Sequence, residues 1–376
     1  MNILIAGDFC PQHRVASSIE DQKYHTVFDD VKEVVDEADY AIVNFECPVI
    51  VGGIKPIKKN GPNLHCTEQG VEALKWAGFN CVTLANNHFY DFGEEGVIRT
   101  ITACKKHGLD YVGGGVNIHE AASVLYKRID DEILAVINCC EHEFSIATET
   151  CGGSNPLNPI QQYYAIQKAK QHADYVLVIV HGGHEYYQLP SLRMQETYRF
   201  FVDAGADAVV NHHQHCYSGY EVYNGNPIFY GLGNFCFDNP KFANVPWNEG
   251  YMVILKLAPG VDFEIVPYKQ CSENARITLL DATEYSEKIM LLNRIIGDSS
   301  KLISAANEYY ASRSLEYSNI FEPCQMRIYK ALKRRGWLPS FNSSKRRLRQ
   351  ENFICCESHR DVLSYFFKHQ CDVTLK

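Results

Sequence analysis

The stretch YVLVIVHGGHE, which runs from Tyr175 to Glu185, is an apolar β-prone run that ends abruptly in imidazole, glycine and carboxylate. An apolar run without polar alternation is typical of a strand buried on both faces, as in parallel sheets. His181 ends the run, so its imidazole falls at the carboxyl end of the predicted strand. Ligands of α/β proteins bind in the crevice beyond such strand ends. The stretch therefore predicts an α/β fold with a functional site at this position.

The same junction between an apolar run and a polar cluster occurs at four further places in the chain. The clusters are Gly7-Asp8, Asn44-Phe45-Glu46, Asn86-Asn87-His88 and His212-His213-Gln214-His215. We expect their side chains to collect along one rim of one sheet. Carboxylate, amide and imidazole groups together can hold a divalent metal ion. The pattern indicates a metallohydrolase.

Each cluster taken alone has an ordinary structural explanation. Asp8 after a glycine is also common in turns and at helix N-caps. Asn44 and Glu46, on the same side of an extended chain, also suit a simple hydrogen-bonded pair. Asn87 tolerates left-handed turns, although two amides and an imidazole at a strand end have little packing reason to exist. His88 beside Asn87 could be a general acid rather than a metal ligand.

Three histidines at strand ends strengthen the metal hypothesis. His213 and His215 are separated by one residue, so an extended segment places both imidazoles on one side, and His181 ends another strand. A lone histidine is usually a polar core or surface residue. The combination with Asp8 and Glu46 is hard to explain in that way and favours a metal site.

Composition limits the class of protein. The chain has 376 residues, 46% hydrophobic residues and a formal net charge of -9. This length predicts one large domain with an appendage, and the negative charge argues against general nucleic-acid binding. We expect no transmembrane segment and no signal peptide, because no apolar run is long enough. The 15 cysteines form no zinc-ribbon spacing, which favours reduced thiols and a cytoplasmic location.

Strand-like and helix-like segments alternate through the first part of the chain, as expected of a mostly parallel sheet. Helical patterns cover residues 68–77, 94–106, 159–172 and 191–204. From Tyr217 consecutive strands follow, and the Asn224-Gly225 turn between two of them predicts a hairpin. We therefore expect a second, antiparallel sheet or an antiparallel flank beside the parallel one.

Beyond about residue 280 the chain reads as helical, with patterns over 282–296, 301–312, 324–335 and 357–368. We predict two domains, an α/β domain over 1–275, for which a family resemblance is given below, and a helical C-terminal region over 276–376. Basic runs at 333–335 and 345–349 flank Gly336-Trp337-Leu338-Pro339. This basic and aromatic patch is either a solvated face or a contact for an anionic partner such as a membrane surface or a charged polymer.

Longer motifs resemble a known family. The runs 84–93 (LANNHFYDFG), 181–186 (HGGHEY), 213–215 (HQH) and 230–235 (YGLGNF) resemble the CapA capsule-synthesis proteins, which are associated with poly-gamma-glutamate capsule. These proteins are similar to the calcineurin-like metallophosphoesterases. The resemblance covers about residues 1–270 with the motifs in family order, and it is more specific for the fold than for the reaction.

The resemblance implies a four-layer α/β/β/α sandwich with a metal centre at the sheet rim, here followed by a helical extension. It implies one or two divalent ions (Mn, Fe or Zn) and a set of site residues. The implied metal ligands are Asp8, Glu46, Asn87, His181, His213 and His215. The implied catalytic residues are His88, as the acid that protonates the leaving group, and Asp91. The implied lining of the substrate cleft is Lys59, Asn60, Glu185 and Tyr186.

The chain departs from the wider superfamily at three positions. Cys10 stands where a histidine usually follows the first aspartate, Glu46 stands where an aspartate is usual, and Gln214 replaces a proline. Cys10 could ligate a soft metal, but a thiol among hard oxygen donors makes an unusual site. One metal position is therefore expected to be weakened or altered.

Three functions remain open from the sequence. The first is metal-assisted hydrolysis of a phosphoester or related anionic bond, in capsule or surface-polysaccharide or poly-gamma-glutamate synthesis. The second is a metal-binding assembly subunit of such a system with little or no hydrolysis. The third is hydrolysis of an amide bond in a gamma-glutamyl polymer. The expected partners are an anionic small-molecule or polymer substrate and other surface-polymer synthesis proteins.

Overall fold

The computed structural model describes residues 1–59, 61–242, 246–320, 326–339 and 350. The strands are β1 Asn2–Phe9, β2 Tyr40–Phe45, β3 Cys81–Thr83, β4 Asp110–Val112, β5 Gly114–Gly115, β6 Leu125–Ile129, β7 Glu132–Cys140, β8 Gly153–Ser154, β9 Tyr175–His181, β10 Ala208–His212, β11 Tyr220–Tyr223, β12 Asn226–Phe229, β13 Asn234–Cys236, β14 Glu249–Ala258, β15 Gly260–Gln270 and β16 Ile277–Leu279. The helices are α1 His13–Glu20, α2 His25–Asp36, α3 Gln69–Trp76, α4 Gly93–His107, α5 Ile118–Ala121, α6 Pro159–Lys170, α7 Leu192–Asp203, α8 Ala282–Ile296, α9 Ser299–Ile320 and α10 Arg327–Arg334.

Two large sheets form the centre of the fold. The first has the order β16-β15-β14-β1-β2-β3-β4, with β13 also paired to β1. Its strands β1 to β4 are parallel, whereas β14, β15 and β16 form an antiparallel flank. The second sheet has the order β11-β12-β10-β9-β7-β6, parallel in the middle and antiparallel at both edges.

The two sheets pack face to face because alternate residues of their strands are apolar on the shared side. Ile3 and Ile5 of β1 meet Leu177 and Ile179 of β9 in the core between the sheets. The opposite face of β1, with Leu4, belongs to a second core that includes residues of α1 to α4. Helices α6 and α7 contact β9 and β10 of the second sheet. This arrangement is the four-layer α/β/β/α sandwich, so the predicted fold class is confirmed.

Most of the predicted elements are present with bounds that differ by a few residues. The helical patterns at 68–77, 94–106, 159–172 and 191–204 correspond to α3, α4, α6 and α7. The predicted hairpin is the antiparallel pair β11 and β12, with Asn224 and Gly225 both at positive φ as their turn requires. The antiparallel hairpin β6–β7 was not predicted, although β7 is a long, mostly buried strand.

One expectation was wrong. The polar clusters do not lie on the rim of one sheet. Asp8, Glu46 and Asn87 lie at or beyond the ends of strands of the first sheet, whereas His181 and His213 lie at or beyond the ends of strands of the second. The two sheets face each other, so the ends of their parallel strands still meet in one crevice.

The C-terminal part of the described chain is helical. Helix α8 packs on the strands, since Asn293 accepts a hydrogen bond from the backbone of Tyr220 (2.7 Å) and the Tyr285 ring lies 5.0 Å from that of Tyr217. The chain divides into two compact units, Met1–Ile303 and Ser304–Lys376. The predicted boundary after residue 275 stays a prediction. The basic run at 345–349 and the predicted helix at 357–368 lie outside the described residues.

None of the described helices combines the length and the apolar composition needed to cross a bilayer.

Gly7 provides a test of how the metal-site strand is held. A Cβ atom at this position would lie 1.9 Å from the carbonyl oxygen of Gly233, where β13 approaches β1. We expect Gly7→Ala to lower the free energy of unfolding by about 2 kcal/mol, because overpacking a filled core forces backbone shifts. Urea unfolding measures the change. Gly52→Ala is the control, since nothing lies within 4 Å of its Cβ position, and an equal loss in both variants would contradict the packing argument.

Candidate metal centre

The candidate site lies in the crevice where the ends of β1, β2 and β3 face the ends of β9 and β10. Four acceptor-bearing side chains point at one another there. The Nε2 atom of His181 lies 3.0 Å from Asn87 Oδ1 and 3.1 Å from His213 Nδ1. The same His181 nitrogen lies 3.7 Å from Glu46 Oε1. All four side chains are buried.

Glu46 is the clearest indication that this cluster suits a cation. Both of its carboxylate oxygens are buried, and neither has a hydrogen-bond partner among the described residues. A buried carboxylate without a partner is costly, and a metal ion is one of the few groups that offsets this cost. A single ring proton also cannot satisfy several acceptors that converge on one point. The residues present therefore fit a bound metal ion.

Three overlapping groups of side chains offer ligand atoms that all lie within 4.8 Å of one another. The groups are Glu46, His181 and His213; Asp8, Glu46 and His215; and Glu185, His213 and His215. The first two share Glu46, which is the arrangement expected when one carboxylate lies between two ion positions. The donor set suits a divalent metal.

Asp8 is held in place by donors from both sheets. Asn44 donates to Asp8 Oδ1 (2.7 Å), and the backbone of His213 donates to Asp8 Oδ2 (3.3 Å). Burial by itself raises the pKa of Asp8. Hydrogen bonding and positive charge at His215, with further help from His212 and Asn44, outweigh burial and hold this pKa below its ordinary value. Asp8 is therefore poised as a carboxylate.

The pKa values of the other site residues are shifted by burial and by their charged neighbours. Burial raises the pKa of Glu46 well above its ordinary value, and the nearby Asp8 raises it further. Burial lowers the pKa of His181 well below its ordinary value, and the other histidines of the site act in the same direction. Burial also acts to lower the pKa of His215, but the carboxylates around it raise this pKa to about 10. Shifted pKa values among neighbouring residues are typical of functional sites.

His215 has a fixed ring orientation. Its Nδ1 atom lies 2.9 Å from Asn234 Oδ1, and the amide of Asn234 donates to the carbonyl oxygens of His215 and Trp247 (both 3.2 Å). The two carbonyl contacts identify which end of the Asn234 amide is nitrogen. Nδ1 of His215 therefore carries the proton, and Nε2 faces Glu46 Oε1 at 3.6 Å. A protonated outer nitrogen is the usual support for a metal-binding histidine.

The expectation that His213 and His215 lie on an extended segment was wrong. Strand β10 ends at His212, and both residues have positive φ (87° and 54°). Left-handed backbone at residues other than glycine costs of order 1–3 kcal/mol each and is concentrated at functional sites. The two imidazoles converge because the chain turns sharply, not because side chains alternate along a strand.

His88, Asp91 and Lys59 form a second cluster at the edge of the site. His88 Nδ1 lies 2.7 Å from Asp91 Oδ2, and the Lys59 ammonium contacts Asp91 Oδ1 and lies 3.2 Å from His88 Nδ1. Burial lowers the pKa of His88, whereas Asp91 opposes this change. The Lys59 side chain is only 2% exposed, so its ammonium is committed to Asp91. Its predicted contact with substrate stays a prediction.

Cys10 does not belong to any of the three ligand groups found among the described residues. Its thiol is buried and contacts the thiol of Cys47, which also contacts Cys66. The amide of Gln12 donates to Cys10 Sγ (3.4 Å). The side chain that replaces the usual histidine thus has its contacts in the core beside the first sheet.

The remaining predicted cleft residues differ in their placement. Glu185 and Tyr186 are exposed next to the histidines, and Glu185 is part of one ligand group. Tyr186 has a left-handed backbone (φ 62°) and donates its backbone N–H to the carbonyl oxygen of Gln214 (2.8 Å). Asn60 lies outside the described residues.

Four polar residues support the site without having been assigned a role from the sequence. They are Asn44, Asn86, His212 and Asn234. Asn86 ties the loop of His88 to the backbone of Phe45. Neither ring nitrogen of His212 has a hydrogen-bond partner among the described residues, and Nδ1 lies 3.7 Å from Asp8 Oδ1. Asn234 sits in the YGLGNF motif, and this motif was the signal that could have identified it.

Taken together, these observations define a four-layer α/β/β/α sandwich with a buried carboxylate–histidine cluster that is a candidate metal centre. Residues 2–239 match the family described as bacterial capsule synthesis protein PGA_cap, and the chain belongs to this family.

Curated relatives agree with this family. The "Capsule biosynthesis protein CapA" of Bacillus anthracis is 36% identical over 246 residues, covering 63% of this chain and 60% of that protein. The "PGA biosynthesis protein CapA" of Bacillus subtilis (strain 168) is 33% identical over 237 residues, covering 62% of each. The match thus spans less than two thirds of the length of these relatives.

Similarity to solved structures is more distant. A putative 5'-nucleotidase from Staphylococcus aureus in complex with alpha-ketoglutarate aligns with a TM-score of 0.42 and 12% identity, covering 78% of this chain and 58% of that one. This likeness is too weak to support an argument about chemistry.

Glu46 allows the metal centre to be tested without an assay of activity. We expect Glu46→Gln to lower metal affinity by at least about tenfold, because loss of even a supporting partner of a metal ligand costs 10–100-fold. Metal content by elemental mass spectrometry and the rise in Tm on addition of Mn²⁺ measure the effect. Glu149→Gln is the control, since this carboxylate is 74% exposed and pairs with His119. Equal metal content in the two variants would contradict the assignment of Glu46.

Proposed function

We propose that the chain is a metal-dependent hydrolase of the metallophosphoesterase type that acts in the synthesis of capsule or a related surface polymer. The observation that carries this proposal is the Glu46 carboxylate. Neither of its two buried oxygens has a hydrogen-bond partner among the described residues, although His181 Nε2 and His215 Nε2 lie 3.7 Å and 3.6 Å from Oε1. Its placement beside the His88–Asp91 pair adds a group capable of proton transfer. The names of the two CapA relatives support the biological setting.

The proposed metal ligands are Asp8, Glu46, Asn87, His181, His213 and His215. A divalent cation held by them would neutralise charge on an anionic substrate and acidify a water molecule that attacks it. Asn44 and Asn234 orient Asp8 and His215, so that the ligands are fixed before substrate binds. The buried crevice excludes bulk water from these groups and strengthens every charge interaction there.

His88 is proposed to protonate the departing oxygen. Its Nδ1 atom is engaged by Asp91, which leaves Nε2 as the position from which a proton can move to the leaving group. The Asp91 carboxylate stabilises the charged ring and fixes its orientation, as the aspartate does in a Ser-His-Asp triad. The Lys59 ammonium in turn holds Asp91. Asn86 fixes the backbone of His88 through a hydrogen bond of 3.1 Å.

The second candidate is a metal-binding assembly subunit with little or no hydrolysis. Cys10 favours this reading, since the side chain at a usual metal-ligand position makes its contacts with Cys47 instead. A site with one weakened position could retain a structural ion and lose turnover. Cleavage of an amide in a gamma-glutamyl polymer is a third outcome, because the same activated water can attack a carbonyl.

The role of His88 can be separated from metal binding. We expect His88→Asn to lower kcat on an aryl phosphate monoester or diester by about 10²–10⁴, the contribution typical of general acid catalysis, with metal content unchanged. His107→Asn is the control, since this histidine pairs with Glu68 on the surface of α4. The two variants are compared by steady-state kinetics with Mn²⁺ and by elemental mass spectrometry.

The metal content and the turnover together decide the role of His88 and the type of reaction. Loss of metal in His88→Asn would move His88 among the ligands. Metal in the wild-type chain without turnover on aryl phosphates or on a gamma-glutamyl peptide would overturn the hydrolase proposal and favour the assembly subunit. Turnover on the peptide alone would replace phosphoester by amide chemistry.

A further inference from the structure

Three aromatic rings are stacked beside the candidate metal centre. The centroids of Tyr186 and Phe242 are 5.6 Å apart, those of Tyr186 and Trp247 are 5.8 Å apart, and those of Phe242 and Trp247 are 4.9 Å apart. The interplanar angles are 27°, 27° and 25°. These three residues are called the aromatic stack. Nearly parallel rings at such distances pack against one another. Trp247 is buried, so Tyr186 presents the most accessible ring of the stack.

The aromatic stack adjoins a proposed metal ligand. The ring centroid of His215 lies 4.9 Å from that of Trp247 and 6.3 Å from that of Tyr186. Trp247 is anchored, because its indole N–H donates to the carbonyl oxygen of Phe237 (3.0 Å) and its own carbonyl oxygen accepts from Asn234 and Gln270. The inner side of the stack is therefore rigid and connected to the metal centre through Asn234.

Tyr186 is the outer and most exposed member of the stack. It is 49% exposed, although it is among the larger aromatic side chains of the site. Its backbone is left-handed, a conformation that is costly for a tyrosine and that is found chiefly where function requires it. The cost is offset here by contacts that hold the ring against Phe242 and Trp247 while leaving part of it in solvent.

Polar groups flank this surface. The Glu185 carboxylate is exposed next to Tyr186, and the phenol of Tyr186 itself can donate or accept a hydrogen bond. Burial and the nearby Glu185 raise the pKa of Tyr186 to about 12, so the phenol keeps its proton. An apolar face flanked by a carboxylate and a hydroxyl matches a sugar ring, which has C–H groups on its faces and hydroxyls at its rim.

We propose that the aromatic stack is a subsite for a sugar ring bonded to the phosphate of the substrate, with the ring stacked on Tyr186 and its hydroxyls facing Glu185. The inference rests on the proposed function, since it identifies the substrate of that site as a sugar phosphate. A linear gamma-glutamyl chain has no ring face, so the stack favours a carbohydrate over that polymer.

Ligand affinities test the sugar subsite separately from the proposed hydrolysis. The dissociation constants of glucose 1-phosphate and of glycerol 3-phosphate, a ring-less phosphate, are measured by isothermal titration calorimetry on the Mn²⁺-loaded full chain. We expect glucose 1-phosphate to bind more tightly. In Tyr186→Ala the ratio of the two affinities falls about tenfold, the size of effect that one aromatic contact and its buried area supply. Where the sugar phosphate is turned over, the ratio of KM values gives the same comparison.

Two further variants make the test specific. Tyr186→Phe keeps the stacking face and is expected to keep most of the preference for the ring. Tyr164→Ala removes a tyrosine that is 68% exposed on α6 and is expected to leave the ratio unchanged. Thermal unfolding checks that all variants are folded.

The proposal is overturned if glucose 1-phosphate binds no more tightly than glycerol 3-phosphate, or if Tyr186→Ala weakens both ligands equally. Preferential binding without turnover would overturn only the proposed hydrolysis. Turnover of aryl phosphates without any preference for the sugar ring would overturn only the subsite.

Discussion

A buried carboxylate without a hydrogen-bond partner among the described residues is the constraint on which the rest of this structure depends. Glu46 lies between the two sheets with both oxygens unpaired among the described residues. Removing a charged group from water costs several kcal/mol unless an opposite charge or strong donors replace the solvent. The surrounding imidazoles and the Asn87 amide offer acceptors as much as donors. A bound cation would offset this cost, and the supporting residues are organised around the same crevice.

The supporting contacts connect both sheets to the same point. Asn44 on β2 holds Asp8 on β1, and the backbone of His213, from the second sheet, closes the contact from the other side. Gly7 lets β13 approach β1 closely, which brings Asn234 to His215. His213, His215 and Tyr186, in this crevice and at its rim, are three of the non-glycine residues with positive φ. Strain of this kind persists only where surrounding packing enforces it.

Much of the fold could be predicted from the sequence because local patterns carry that information. Apolar runs such as Val176 to Val180 identify buried strands, and the Asn224-Gly225 turn identifies a hairpin. The polar residues after those runs marked the candidate site. The hairpin β6–β7 was missed, and the assignment of all clusters to one sheet was wrong, because strand order and sheet membership depend on pairing between distant segments.

The sequence by itself determined many of the elements, such as β9, α6 and the β11–β12 hairpin, and which donor types stand at the strand ends, since these follow from short-range periodicity and residue chemistry. Only the tertiary structure decided that two sheets contribute to one crevice, that Glu46 has no hydrogen-bond partner among the described residues, that Cys10 contacts Cys47, and that Tyr186 stacks on Trp247. These relations join residues that are far apart in the chain. Packing of the two sheets creates them, and no local pattern encodes the distance between such residues.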